Sequence, residues 1–429
     1  MRLPRVRRSL TVNAAALMTG TIATNALGVV FWTAAAHLRA PAIVGRAAAG
    51  VAALTLLATV SQLNLTNVFV RLLPTAGRFS RQLITRGYLA VIVLATTLSA
   101  AYVASGLGDH FLPHGWAPRL VFVVAVDVLV LFALQDAVLT ALRLSPFVPL
   151  ENISCGMLRV ALVPVLLALP AANAIALAWV IPASVAVIIV SRLLFSRVLP
   201  ALDEVDGSLP GRRRMLSFVA GEYVGSLFAT AVAQLMPLVI LWRLGPSAAA
   251  YFTLPWLISM GIALLLWNVA SSFVVELTTN RGRPEALLRR SLLLWGAIVL
   301  GAFVVCVLGA QPLLAVAGGS YAEHGAALLR LIGVGVPLTA LSAICCTFLW
   351  LDQRVWLLAA SQLIASMVLL ATTLALTSHI GLVAAGVANI ISQAVIALAL
   401  LPIVIQRFRS SATMETTRAG WAYRAGGSG

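Results

Sequence analysis

Apolar residues fill runs of 20 or more along the whole chain, and polar residues gather in short breaks between them. A bilayer-spanning helix needs about 20 apolar residues. The pattern predicts twelve spans, at 12–36, 47–72, 83–106, 119–142, 149–171, 174–198, 215–243, 249–275, 287–310, 325–350, 354–378 and 381–405. The runs do not alternate over ten-residue segments, which argues against a membrane β-barrel.

One break sets the organisation. Gln62 to Arg86 holds the end of one apolar run, a short basic turn and the start of the next. Within it, Val70-Arg71-Leu72, four residues, and Gly77-Arg78 match Val275-Glu276-Leu277, four residues, and Gly282-Arg283. Each copy closes the second span of its half, so two similar six-span halves are expected. Pro200 to Arg214 is the longest internal polar stretch and reads as their linker. The expected domains are an N-terminal lobe at 1–199, a linker at 200–214, a C-terminal lobe at 215–406 and a disordered tail at 407–429. The fold class is an all-α polytopic membrane protein, twelve transmembrane helices in two lobes around a central cavity.

Composition supports this: 61% of the 429 residues are apolar, 10% are charged and the mean hydropathy is +1.02. The net charge of +16 comes entirely from arginine over acid, because the chain has no lysine. These arginines are scattered over the loops rather than forming a patch, so nucleic acid is not an expected partner. They give orientation instead. With the N-terminus inside, 23 of the 29 fall on one side, five (Arg39, Arg46, Arg119, Arg243, Arg330) on the other, and Arg159 lies within a span. A multi-pass protein of the cytoplasmic membrane with both termini inside is therefore expected, its first helix retained despite a signal-like start. The four cysteines lie inside apolar runs, with no metal or disulfide spacing.

Enzyme motifs are missing: no GxxxxGK[ST] phosphate loop, no HExxH and no GxSxG. No loop is long enough for a catalytic domain. A non-enzyme is expected, with no cofactor beyond coupling to H+ or Na+. Two similar halves with a site between them suit a secondary transporter.

Intramembrane polar residues mark the candidate site. Thr21, Asn25, Gly28 and Trp32 share one face of the first span. Thr55, Thr59, Gln62 and Thr66 share one face of the second, with Asn64, Asn67 and Arg71 beside them. Such stripes line a wet cavity or hydrogen-bond between helices. Arg159 is the most deeply placed arginine; it meets an anionic substrate or bridges to Asp127 on the preceding span. Asp136 and Arg143, seven apart, are an expected ion pair. Arg39 and Arg46 rim a cavity mouth or snorkel. Asp127, Glu222, Arg71 and Glu276 are candidates for ion coupling or gating. Spans nine, eleven and twelve carry almost no charge and read as lipid-facing scaffold. Arginines available to the cavity favour an anion, because guanidinium matches phosphate with paired hydrogen bonds.

The opening 90 residues, through Gly28–Trp32, the Ala42–Ala49 run AIVGRAAA and Leu63–Pro74, resemble polysaccharide flippases of the multidrug/oligosaccharidyl-lipid/polysaccharide exporter superfamily, those for O-antigen-type lipid-linked oligosaccharides. The resemblance implies a V-shaped pair of six-helix lobes and export of a sugar chain on a polyprenyl diphosphate. It also implies an arginine-lined cavity, similar to Arg46 and Arg159 here, and partnership with a polysaccharide polymerase and glycosyltransferases. The chain lacks the extra C-terminal spans of peptidoglycan-precursor flippases. Alternatives are a drug or small-solute exporter, of this superfamily or a major facilitator, and a non-transporting scaffold. Pro74 to Arg78 lacks the acidic residue of the facilitator turn, and the polar stripes argue against a scaffold.

Overall fold

The computed structural model describes residues 10–166, 171–203, 205–208, 230–279, 284–352, 354–402 and 405. Among these, ten helices are long and apolar enough to cross a membrane, and two shorter apolar helices, Ile22–Leu38 and Thr230–Leu244, complete the twelve. The protein is an all-α polytopic membrane protein built as two six-helix lobes.

The N-terminal lobe holds α1 (Leu10–Leu38), α2 (Pro41–Ser61), α3 (Leu65–Ala76), α4 (Ser80–Ala104), α5 (Trp116–Ala141), α6 (Phe147–Val165) and α7 (Ala171–Leu193). A π turn at Leu194–Val198 and the short α8 (Leu199–Leu202) end it. The C-terminal lobe holds α9 (Thr230–Leu244), α10 (Pro246–Thr279), α11 (Pro284–Phe303), α12 (Ala310–Ala315), α13 (Gly319–Leu351), α14 (Val355–Ile380) and α15 (Val383–Pro402). The turns alternate between an arginine-poor end, holding the α1–α2 and α9–α10 turns, and an arginine-rich end, holding the α2–α4 and α5–α6 turns.

The expected second span at 47–72 is two helices. Pro41 starts α2 early: its fixed φ suits the first helical position and its missing N–H costs nothing there. The chain then breaks at Leu63 and Asn64, both left-handed at φ 50° and 56°. Asparagine tolerates that conformation, and Asn64 Oδ1 accepts a 2.8 Å hydrogen bond from Asn67 Nδ2. Beyond the break α3 is amphipathic. It buries Val68, Phe69, Leu72, Leu73 and Ala76 and exposes Asn67, Val70 and Arg71. Hydrophobicity alone could not show the break, because α3 is apolar enough to read as more span.

The Gly77-Arg78 turn anchors the linker. Gly77 has φ +47°, and a Cβ there would lie 2.4 Å from the Val205 carbonyl oxygen. From the linker side, a Cβ on Gly207 would lie 2.1 Å from the Ala76 carbonyl oxygen. Arg78 N donates to Val205 O at 2.8 Å and Ser208 N to Thr75 O at 3.0 Å. An exposed ion pair, Arg81–Asp203 at 3.4 Å, lies beside this contact and contributes little. Gly207→Val should therefore release the linker: limited proteolysis after Leu202 should become faster while the helical circular dichroism holds. The matching turn at Gly282 and Arg283 lies outside the described residues.

Two scaffold expectations change. On α14, Thr373 and Thr377 are 0% and 2% exposed. On α15, Asn389, Ser392, Ile396 and Leu400 form a buried face, while Leu398 is 71% exposed. Ser392 Oγ donates to the Ala365 carbonyl at 2.7 Å, tying α15 to α14. Both helices have one packed polar face and one lipid-type face. Counting charges missed this, because serine, threonine and asparagine hold membrane helices together without charge.

Candidate cleft between the lobes

The lobes meet at the arginine-poor end. A Cβ on Gly45 of α2 would lie 1.7 Å from the Pro246 carbonyl oxygen and 2.8 Å from Ala250 N on α10. Only glycine allows the two backbones to approach so closely. One core cluster joins Trp32, Val44, Ala48 and Val51 of the first lobe to Ala250, Leu254, Leu314 and Leu329 of the second. Another joins Ala49, Ala53 and Leu54 to Met236, Ile240, Phe252 and Trp256.

Toward the arginine-rich end this mixing stops. The cluster around Cys345, Cys346, Phe348, Ile396 and Leu400 and that around Leu266, Ala270, Trp295 and Ala340 contain only C-terminal-lobe residues. The lobe-to-lobe packing of the first two clusters thus gathers at the arginine-poor end, where a cavity of about 420 Å³ lies between Val29, Thr33 and His37 of α1 and Leu254, Ile258 and Leu313 of the C-terminal lobe.

The first-span face lies at this lobe boundary. A Cβ on Gly28 would sit 3.5 Å from Leu257 Cδ2, and one on Gly261 3.7 Å from Asn25 Oδ1. Asn25 and Gly28 therefore face α10, while Trp32 packs edge-on to Phe31 at 5.1 Å and beside Trp179 at 6.1 Å. The side chain of Thr21 lies outside the described residues.

Arg159 of α6 reaches this aromatic cluster. Its guanidinium sits 4.2 Å from the Trp179 ring centroid, and Phe31 meets Trp179 at 5.3 Å. Its Nε is buried with no hydrogen-bond partner. A cation held against an indole face is partly stabilised, but an unsatisfied buried N–H is costly. The site is therefore set up to gain from an acceptor.

The expected Arg159–Asp127 bridge does not form. Asp127 is taken by α4, accepting from Thr96 Oγ1 at 3.2 and 2.9 Å. The Asp136–Arg143 pair does not form either: Asp136 accepts from Asn152, and Arg143 has left the helix with φ +61°. Seven-residue spacing puts two side chains on one face only while the helix lasts, and α5 ends at Ala141.

The other candidates are dispersed. Arg46 is exposed and Arg39 half-buried at the arginine-poor end. Gln62 and Asn64 sit at the α2–α3 break, where Asn64 Nδ2 is buried without a partner. Arg71 is exposed on α3, and Glu276 is half-buried near the end of α10. Glu222 lies outside the described residues. Arg330, expected at an outer end, is exposed about three turns into α13.

Two polar clusters emerge only from the fold. In the C-terminal lobe, Ser259, Thr339, Asn389 and Gln393 line an enclosed cavity of about 50 Å³, and Ser342 Oγ donates to Gln393 Oε1 at 2.5 Å. In the N-terminal lobe, Tyr88, Asp136, Glu151 and Asn152 come together from three helices. Their signal was present in the sequence as intramembrane polar residues, but only the fold shows that α4, α5 and α6 converge. No group of three or more His, Cys, Asp or Glu among the described residues is placed to hold a metal ion. The four cysteines are free and buried, as expected.

No protein-family model matches the sequence, and no curated protein does. Solved structures do match its fold. A lipid II flippase, MurJ, in an inward closed conformation superposes with a TM-score of 0.67 at 10% identity, covering 92% of this chain and 87% of that one. An inward-facing multidrug resistance MATE transporter of the MOP superfamily gives 0.64 at 15%, covering 92% and 96%. The MATE multidrug transporter DinF-BH gives 0.62 at 15%, covering 94% and 96%. The chain has the two-lobed fold shared by these proteins.

Proposed function

We propose that this protein is a secondary transporter that flips a polyprenyl-diphosphate-linked oligosaccharide from the inner to the outer leaflet of the cytoplasmic membrane, for surface polysaccharide synthesis. The observation that carries the reading is Arg159, an intramembrane guanidinium with an unsatisfied Nε, held by Trp179 beside the lobe boundary. A diphosphate supplies the acceptors that this side chain lacks. The MurJ fold likeness supports a lipid-linked cargo. On this reading the arginine-rich side is cytoplasmic, the side on which such a substrate is made. A polymerase and glycosyltransferases would be the functional partners, and no enzymatic step falls to this chain.

A second reading is a drug exporter, and the MATE fold likenesses favour it. The test is flipping of a fluorescent polyprenyl-diphosphate oligosaccharide in vesicles carrying the purified protein, against efflux of a cationic dye. Lipid flipping without dye efflux supports the proposal; the reverse supports the exporter.

Moving negative charge outward is favoured by an inside-negative potential, by ~2.3 kcal/mol per charge per 100 mV. Flipping is therefore expected to accelerate when such a potential is imposed with valinomycin and a potassium gradient. A rate indifferent to potential would mean that the site's own charge moves with the substrate.

A further inference from the structure

We propose that Tyr88, Asp136, Glu151 and Asn152 form a proton-binding site inside the N-terminal lobe, between α4, α5 and α6. Neither the cleft nor the sequence motifs call for this cluster. Its residues are brought together only by the packing of three helices.

The hydrogen bonds around it are incomplete. Both Glu151 carboxylate oxygens are shut off from solvent and lack a partner. Tyr88 is 8% exposed, and its buried hydroxyl has no partner either. Tyr88 and Asp136 both lie within electrostatic reach of Glu151. The two Asp136 oxygens share one donor, Asn152 Nδ2, at 3.3 and 3.1 Å. That same nitrogen also donates to the Val148 carbonyl at 3.0 Å.

Neither acid is in an ion pair among the described residues. The nearest charged or titratable groups on α6 are Cys155 and Arg159, and Arg159 is held against Trp179. On α7, Ser191 and the Val187 carbonyl are both taken by Gln135 of α5. On α1, which packs on α6 through Gly20 and Pro149, Thr24 is bonded to its own helix.

Two carboxylates in a low-dielectric interior with no cation cannot both stay ionised cheaply. A proton is the smallest counter-ion: once it is bound to one carboxyl, the repulsion between the two acids is gone. The acids lie near the arginine-rich end of α5 and α6. The proton would enter from water on that side and leave to water when the lobes have rocked. That coupling rests on the transport reading above; proton binding itself does not.

Infrared difference spectra of the purified protein in vesicles, acidic minus alkaline buffer without sodium, test it without any substrate. A carboxylic-acid carbonyl band is expected. It should vanish in Glu151→Gln, weaken or vanish in Asp136→Asn and shift in frequency in Tyr88→Phe, which removes only a hydroxyl. Proton uptake should fall by one per molecule in the glutamine variant. A band unchanged in all three variants would overturn the proposal. So would a band abolished by sodium at constant acidic pH, which would make this a metal-cation site.

Discussion

Gly45→Val is expected to hold the protein open at its arginine-poor end and to stop transport. The substituted Cβ would fall 1.7 Å from the Pro246 carbonyl oxygen, a backbone atom that no side-chain rotation can move aside. The alternatives are separating α2 from α10 or distorting both. Forcing extra carbons into a packed contact costs about 1–3 kcal/mol, which changes a conformational ratio about five- to 150-fold. Spin labels at Trp116 on the first lobe and Glu323 on the second, both exposed at this end, should report a longer distance in the variant. Gly45→Ala should give a smaller shift in the same direction. If the distance is unchanged and transport normal, the close approach is not a gate.

Arg159→Met should abolish transport and yet raise thermal stability. A charged side chain at depth in the membrane costs about 2.5–3.5 kcal/mol on insertion scales, and the Trp179 ring offsets part of it. Methionine fills similar volume, packs on the indole and has no N–H to satisfy. Losing a charge-assisted contact to a buried phosphate costs about 2–5 kcal/mol, at least about thirtyfold in affinity. Arg159→Lys keeps the charge but not the paired donor geometry, so partial activity is expected. The two measurements separate the possibilities. If Arg159 serves only to tie α6 to α7 through the ring, Arg159→Met lowers the melting temperature instead.

The span count and the two halves were readable because each rests on runs of 20 or so residues, long enough for hydropathy to average out local detail. The α2–α3 break was not, because it depends on two backbone angles at Leu63 and Asn64 inside a stretch that stays apolar on both sides. Site reading went wrong for a different reason. Spacing along a helix placed Asp136 with Arg143 and chain proximity placed Asp127 with Arg159, but in both cases the nearer partner lay across a helix boundary: Asn152 for Asp136 and Thr96 for Asp127. Depth in the membrane can be read from one sequence. Which neighbouring helix a side chain turns toward cannot, and that choice decides its partner.

The contact at the arginine-poor end is made largely of alanine, valine, leucine and aromatic rings drawn from both lobes. Such packing excludes water between its two sides. An ion attempting to slip through would have to shed its hydration shell with nothing to replace it. If the protein transports as proposed, packing of this kind lets it rock repeatedly without short-circuiting the gradient across its own membrane.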